Sequence, residues 1–320
     1  MNNWHEKALE YASQNLSARE VTNKINEELG LSLSFNTVKS YIYRHKNEIK
    51  KNKSDVVSKR VVVQNQEPKH HDSKWDGTTV IRFGLMGDTQ FGSKYAQISY
   101  LHEYYDLCVR EGITEVYHTG DITDGLKMRV GHEYELYEVS ADEMRDDVVK
   151  NYPKRDSITT HFITGNHDAS IYKHVGYDIG QAIANARPDL KYLGRDCATI
   201  NLTPNCALEL RHPWDGTAYA LSYKMQKMIE AMEGDSKPNI LAVGHYHKAE
   251  YLFYRNVHAI QTGCFQGQTP FTRGKGISVH LGGWIVTVRV DQNGTIQGIA
   301  PEFIPFYKSI KDDYKKYKII

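Results

Sequence analysis

Five times along the chain a short β-rich run gives way to polar side chains able to bind a cation. In order these are Gly87-Asp88-Thr89-Gln90; Gly120-Asp121-Ile122-Thr123-Asp124-Gly125; Gly165-Asn166-His167-Asp168; Arg211-His212-Pro213; and Gly244-His245-Tyr246-His247. Carboxylate, amide and imidazole groups are hard-to-borderline donors that suit Mn²⁺, Fe or Zn²⁺, and no cysteine accompanies them. The C-terminal ends of neighbouring strands meet on one edge, where turns can present side chains to a shared site. A glycine ahead of the polar residue is expected to let the chain turn there without a Cβ penalty.

Those side chains must be positioned by a sheet. Strands are expected at 79–86, 115–120, 158–165, 207–212 and 239–245, with helical stretches at 96–111, 134–151 and 219–233. The last third reads as antiparallel strands in VHAIQTG, ISVHL, GWIVTVRV and TIQGIAPEFI, the last two separated by the turn Asp291-Gln292-Asn293-Gly294. Two sheets packed face to face with helices outside, an α/β class, is the simplest architecture. No repeat of 20–50 residues is visible.

Before residue 50 the pattern is helical. A first helix near 3–13 spaces Trp4, Ala8 and Tyr11/Ala12 on one face. A second opens with the capping box Ser17-Ala18-Arg19-Glu20, buries Ala18, Val21, Ile25 and Leu29, and stops at Gly30. A third starts near 34–36, runs through Val38, Tyr41, Ile42 and Ile49, and turns Asn36, Thr37, Lys39, Ser40, Arg44 and Lys46 outward. Helix, short loop and a second helix with polar and basic residues outward is the geometry of a helix-turn-helix. The stretch resembles such modules of phage and bacterial DNA-binding proteins; a helical cap or oligomerisation module is the alternative. The domains expected are 1–50 helical, 51–76 linker, 77–308 catalytic and 309–320 a polar tail, with His70 and His71 as solvated linker residues.

At 320 residues the chain can hold a catalytic domain and an accessory one. Hydrophobic residues make up 40% and charged residues 25%, as in ordinary globular proteins. No apolar run approaches the roughly 18 residues that span a bilayer, so no membrane partner is expected. The four cysteines stand singly, without CxxC spacing, so neither a zinc ribbon nor a disulfide framework is indicated. With no apolar signal core at the N-terminus, the expectation is a cytoplasmic protein. Net charge is +1 but uneven: residues 1–60 hold 11 Lys+Arg against 7 Asp+Glu, the rest 29 against 32. A basic N-terminal region fits a polyanion such as DNA, or a solvated charge run.

The succession D-x-Q, GDxxDG, GNHD, an isolated His and GHxH resembles the signature of calcineurin-like metallophosphoesterases over about 88–247. That resemblance implies a double β-sheet sandwich flanked by helices and two divalent ions, Mn²⁺ first, with Fe, Zn²⁺ or Mg²⁺ as alternatives. It implies Asp121 as the bridge between the ions, Asp88, Gln90 and His247 on one, and Asn166, His212 and His245 on the other. His167 would contact the phosphate and act as general acid, and Asp124 and Asp168 would orient histidines or backbone. The family commonly has D-x-H where this chain has Gln90, a neutral and weaker donor; either its carbonyl oxygen ligates or a water replaces it.

The reaction implied is hydrolysis of a phosphoester by water activated between the two ions. Arg129, His132 and Arg273, in turns near the clusters, are candidate substrate contacts. Three readings follow. The first is a nuclease-type phosphodiesterase on DNA or another nucleic acid, brought to it by the helical module. The second is a phosphatase or small-nucleotide phosphodiesterase whose module only binds DNA or a partner. The third is a non-catalytic DNA-binding regulator. The sequence does not fix the oligomeric state.

Overall fold

The computed structural model describes residues 4–13, 16–45, 69–234 and 237–318. They fall into two units, residues 1–67 and 68–320.

In the first unit, α1 (Trp4–Ser13), α2 (Ala18–Leu29) and α3 (Phe35–Arg44) pack on one another. The Ser17 hydroxyl accepts from the Glu20 amide while the Glu20 carboxylate accepts from the Ser17 amide. Gly30 ends α2 in the left-handed region at φ +61°. The turn into α3 is locked by Asn26, whose side chain donates to the Leu33 carbonyl and accepts from its amide, at 2.9 and 2.8 Å. Ala8, Tyr11, Val21, Ile25 and Val38 are the core, and Ala18 is only half-buried. Asn36, Thr37, Lys39, Ser40 and Arg44 are exposed on α3. Lys46 and Ile49, the stretch 51–68 and the run Val61–Val63 lie outside the described residues.

In the second unit alternate side chains serve different layers, as the two-residue period of a strand requires. One six-stranded sheet has the order β12-β11-β2-β3-β4-β5. Its strands are β2 (Val80–Met86), β3 (Glu115–His118), β4 (Thr159–Thr164), β5 (Leu190–Arg195), β11 (Gly282–Val290) and β12 (Ile296–Pro305). β2 to β5 are parallel, and β11 and β12 add on antiparallel. The other sheet, β1-β6-β7-β8-β10-β9, comprises β1 (Lys69–Asp72), β6 (Cys197–Thr203), β7 (Cys206–Arg211), β8 (Ile240–Val243), β9 (Ala249–Tyr254) and β10 (Val257–Thr262). Phe83, Leu85, Tyr117 and Ile163 from the first sheet meet Leu208, Leu210, Ile240 and Ala242 from the second.

The intervening residues face outward. Met86, Val116 and Phe162 pack with α4 (Ile98–Arg110), α5 (Ala141–Asn151), α6 (Asn166–Val175) and α7 (Ile179–Ala186). Leu241 and Val243 pack under α8 (Tyr223–Ala231). This is the expected α/β double-sheet sandwich. Truncating one of these buried aliphatics to Ala costs ~2–5 kcal/mol, which sets how firmly the strand ends are held.

Several elements differ from expectation. Residues 69–72, taken as linker, form edge strand β1, paired parallel to β6 with His70 opposite Thr199 and His71 opposite Ile200. The helix expected over 134–151 is a 3₁₀ turn at His132–Glu135 followed by α5, because Ser140 and Glu143 form a capping box that starts a new helix. ISVHL is no strand. Its backbone is claimed by loops instead, the His280 amide donating to the His247 carbonyl and the His280 carbonyl accepting from Cys264. Residues 309–318 of the expected polar tail are fastened to α4: buried Asp313 accepts from the Ser99 amide and hydroxyl at 2.7 and 2.6 Å. Among the described residues no helix is long and apolar enough to cross a membrane.

Candidate metal centre

The five clusters stand where the strands end: Asp88 after β2, Asp121 after β3, Asn166 after β4, His212 after β7 and His245 after β8. The two sheets therefore contribute to one locality from both sides. Asp88, Gln90, Asp121, His245 and His247 all adopt positive φ, between +53° and +77°. Such conformations are costly for residues with a Cβ and persist where the surroundings over-determine them, commonly at functional sites. The neighbouring glycines serve mainly a different need from the one expected. A Cβ on Gly165 would overlap the Asp121 carboxylate and the His212 ring, and one on Gly244 would meet Thr119 at 2.7–2.8 Å. Gly120, at φ +97°, and Gly125, at φ +67°, also need the left-handed region.

On one side Asp121, Asn166, His212 and His245 converge. His212 Nδ1 donates to the Thr119 carbonyl at 2.8 Å, and its Nε2 faces Asp121 Oδ2 at 3.2 Å and Asn166 Oδ1 at 2.9 Å. His245 Nε2 donates to the Asp215 carbonyl at 2.6 Å, so its Nδ1 lone pair faces the same Asn166 oxygen at 2.9 Å. At the His245–Asn166 approach acceptor meets acceptor, an arrangement that a cation resolves. Burial alone would raise the Asp121 carboxyl and lower the His212 imidazole. Their mutual attraction wins, holding Asp121 well below the usual carboxylate range and pushing His212 up to about 9. Burial and the neighbouring His212 keep His245 below its ordinary value.

On the other side stand Asp88, Gln90 and His247. The Asp88 carboxylate accepts from the His245 amide at 3.0 and 3.1 Å and lies 3.3 Å from His247 Nε2. Burial disfavours charge on His247, but Cys264 and Asp88 beside it hold its protonated form well above the usual range. Gln90 Nε2 donates to Asp121 Oδ2 at 3.2 Å, while its Oε1 is buried with no partner. A buried carbonyl oxygen left unsatisfied costs about 1–3 kcal/mol, so Gln90 is poised to donate to a cation. Asp121 Oδ2 thus touches both sides at equal distance. Seven oxygen and nitrogen donors without a thiolate suit hard divalent ions.

His167 follows Asn166 at the start of α6. Its Nδ1 donates to the Asp124 carbonyl at 2.7 Å and lies 3.2 Å from the Asp124 carboxylate, so Nε2 is directed toward Asp121 Oδ2, 4.0 Å away. Burial opposes the charged ring, but Asp121 and Asp124 push its pKa up to about 9. Asp168 orients backbone rather than histidine. It accepts from the Ile122, Thr123 and Gly165 amides and the Thr123 hydroxyl, which fastens the Asp121 loop to α6.

The expected substrate contacts are corrected in part. His132 is fully buried and cannot meet substrate. Its Nδ1 accepts from the Met128 amide, so Nε2–H faces Asp124 Oδ2 at 3.4 Å. Asp124, His132 and His167 form a second cluster of candidate donors. Arg129 pairs with Glu135 and covers the Phe271 ring at 4.3 Å. Arg273 stands exposed in α9 (Pro270–Gly274). Sequence reading missed Asp215, which holds His245 through its carbonyl and accepts from the Tyr246 hydroxyl at 2.6 Å. Thirty residues separate Asp215 from His245, and no motif links them.

No family model matches the chain. The DNA polymerase II small subunit of Methanothermobacter thermautotrophicus is 27% identical over 189 residues, 48% of this chain and 39% of that protein. The chain thus spans about two fifths of that relative's length. Among solved structures, an archaeal phosphodiesterase matches at TM-score 0.40 and 11% identity over 70% of this chain and 100% of that one. Vps29 of Chaetomium thermophilum matches at TM-score 0.37 and 12% identity (71% and 98%). Zinc-complexed Vps29 of Entamoeba histolytica matches at 0.33 and 14% (70% and 99%).

Proposed function

We propose that the chain is a calcineurin-like metallophosphoesterase that hydrolyses phosphodiester bonds of DNA with two divalent ions. The observation that carries this is the gathering of seven donors around Asp121, with acceptor facing acceptor between His245 and Asn166 and with Gln90 Oε1 unpartnered. Asp88, Gln90 and His247 would hold one ion and Asn166, His212 and His245 the other, with Asp121 shared. Ions held there would acidify a water and neutralise phosphoryl oxygens. His167 carries a proton on Nε2 and is fixed through Nδ1 on Asp124, so it can hand that proton to the departing oxygen. Thr119 and Asp215 fix the ring orientations of His212 and His245, the role that carbonyl partners of metal-bound imidazoles play.

DNA is favoured as substrate by the exposed Asn36, Thr37, Lys39, Ser40 and Arg44 of α3 and by the polymerase-subunit relative. The test is a matrix of Mn²⁺, Mg²⁺, Fe²⁺ and Zn²⁺ against single- and double-stranded DNA, a chromogenic diester and a chromogenic monoester, for wild type and His167→Ala. Metal-dependent DNA cleavage, lost in the variant, is expected. Activity on the monoester alone would favour a phosphatase.

A further inference from the structure

None of the chemistry above uses the aromatic residues beside the centre. Trp214 lies two residues after His212, and Tyr172 lies on α6, six residues after Asn166. Both stay half exposed, at 54% and 48%. Single exposed rings are ordinary, but these two are anchored. The Arg195 guanidinium lies 4.0 Å from the Tyr172 ring centre and is itself held by Asp178 at 3.0 Å. The Trp214 indole donates to the Asp196 carboxylate at 2.8 Å.

Arg195 and Asp196 are consecutive, and Asp196 sits at φ +62° where the chain leaves β5 for β6. The Asp196 amide donates to the Thr164 carbonyl at 2.9 Å, and its carbonyl accepts from the His212 amide at 2.7 Å. Two rings and a guanidinium therefore hang from one two-residue step, bonded directly to the backbone that carries Asn166 and His212. Flat, anchored, half-exposed rings, one of them carrying a guanidinium, beside the candidate metal centre have the composition of a platform for an unstacked base. In a duplex the base faces are already covered.

We propose that Tyr172, Arg195 and Trp214 form a stacking subsite that holds a nucleobase of single-stranded DNA next to the phosphate at Asn166 and His212. This rests on the phosphodiesterase reading above. Base-on-aromatic stacking corresponds to roughly 5- to 150-fold in affinity per base.

The test compares the full chain, wild type, Tyr172→Ala, Trp214→Ala and Trp214→Phe, on a single-stranded oligonucleotide and on the same strand with abasic residues flanking the scissile phosphate. Wild type should prefer the base-bearing strand about 5- to 150-fold, through KM rather than kcat. That preference should collapse toward one in both Ala variants and be retained in Trp214→Phe, which keeps the ring without the bond to Asp196. The subsite is overturned if DNA is cleaved but the preference is unchanged in the Ala variants, as a protein-docking patch would give. It is likewise overturned if Trp214→Phe is as defective as Trp214→Ala, or if duplex is preferred to single strand. Hydrolysis of a small diester with no cleavage of DNA by wild type instead overturns the DNA reading itself.

Discussion

Gly165→Ala probes the centre at its tightest point. The backbone there, at φ −110° and ψ −164°, is open to any residue, so the substitution carries no conformational strain of its own. What it adds is one methyl directed at the Asp121 carboxylate, 2.6 Å from His212 Nε2 and 2.7 Å from His212 Cδ2. Ordinary contact begins near 3.4 Å, so the ring must move by roughly 0.8 Å or the helix start must shift. Overpacking of this kind costs ~1–3 kcal/mol, and in a domain of about 250 residues each kcal/mol moves Tm by ~2–4 °C. Metal ligands tolerate only about 0.2 Å, so the larger loss should fall on ion binding. Mn²⁺ titration followed by calorimetry and by thermal melting should show a modest fall in Tm without metal and loss of the metal-induced rise expected of wild type. A variant that binds Mn²⁺ as wild type does would refute the convergence of Asp121 and His212 on one ion.

His132→Ala should remove the imidazole that faces Asp124 and loosen His167. The expected loss is of order tenfold in kcat on alkyl phosphodiesters and much smaller on nitrophenyl esters, whose leaving groups need no proton; equal losses on both would contradict it. Asp168→Ala abandons four donors in a buried site and should cost ~3 kcal/mol or more in denaturant unfolding. Lys39→Ala with Arg44→Ala in the full chain should weaken DNA binding and reduce the slope of log K against log salt by about 1–2, read by fluorescence anisotropy. Excess Mn²⁺, at about 100 times its dissociation constant, should stabilise the wild type by ~2.7 kcal/mol, and chelator should reverse this.

The parts legible in the sequence are those written locally. Strand ends and their polar clusters occupy three to six consecutive residues, and the Ser17–Glu20 capping box and Gly30 define α2 without help from tertiary contacts. What escaped was settled by distant partners. β1 carries the polar sequence Lys-His-His-Asp on a sheet edge, so no hydrophobic period marks it. α6 begins directly after Gly165, inside a motif that reads as a turn. His132 looks like a loop residue until the Met128 amide and Asp124 enclose it. ISVHL alternates like a strand, but its backbone bonds go to the loops at His247 and Cys264.

Anomalous diffraction from crystals grown with Mn²⁺ tests the two-ion centre most directly. The account predicts two peaks flanking the Asp121 carboxylate, about 3.5–4 Å apart, with Gln90 Oε1 turned to one and Asn166 Oδ1 to the other. Fully folded protein with no peak there, and with Asp121 still paired to His212 and Gln90, would contradict it.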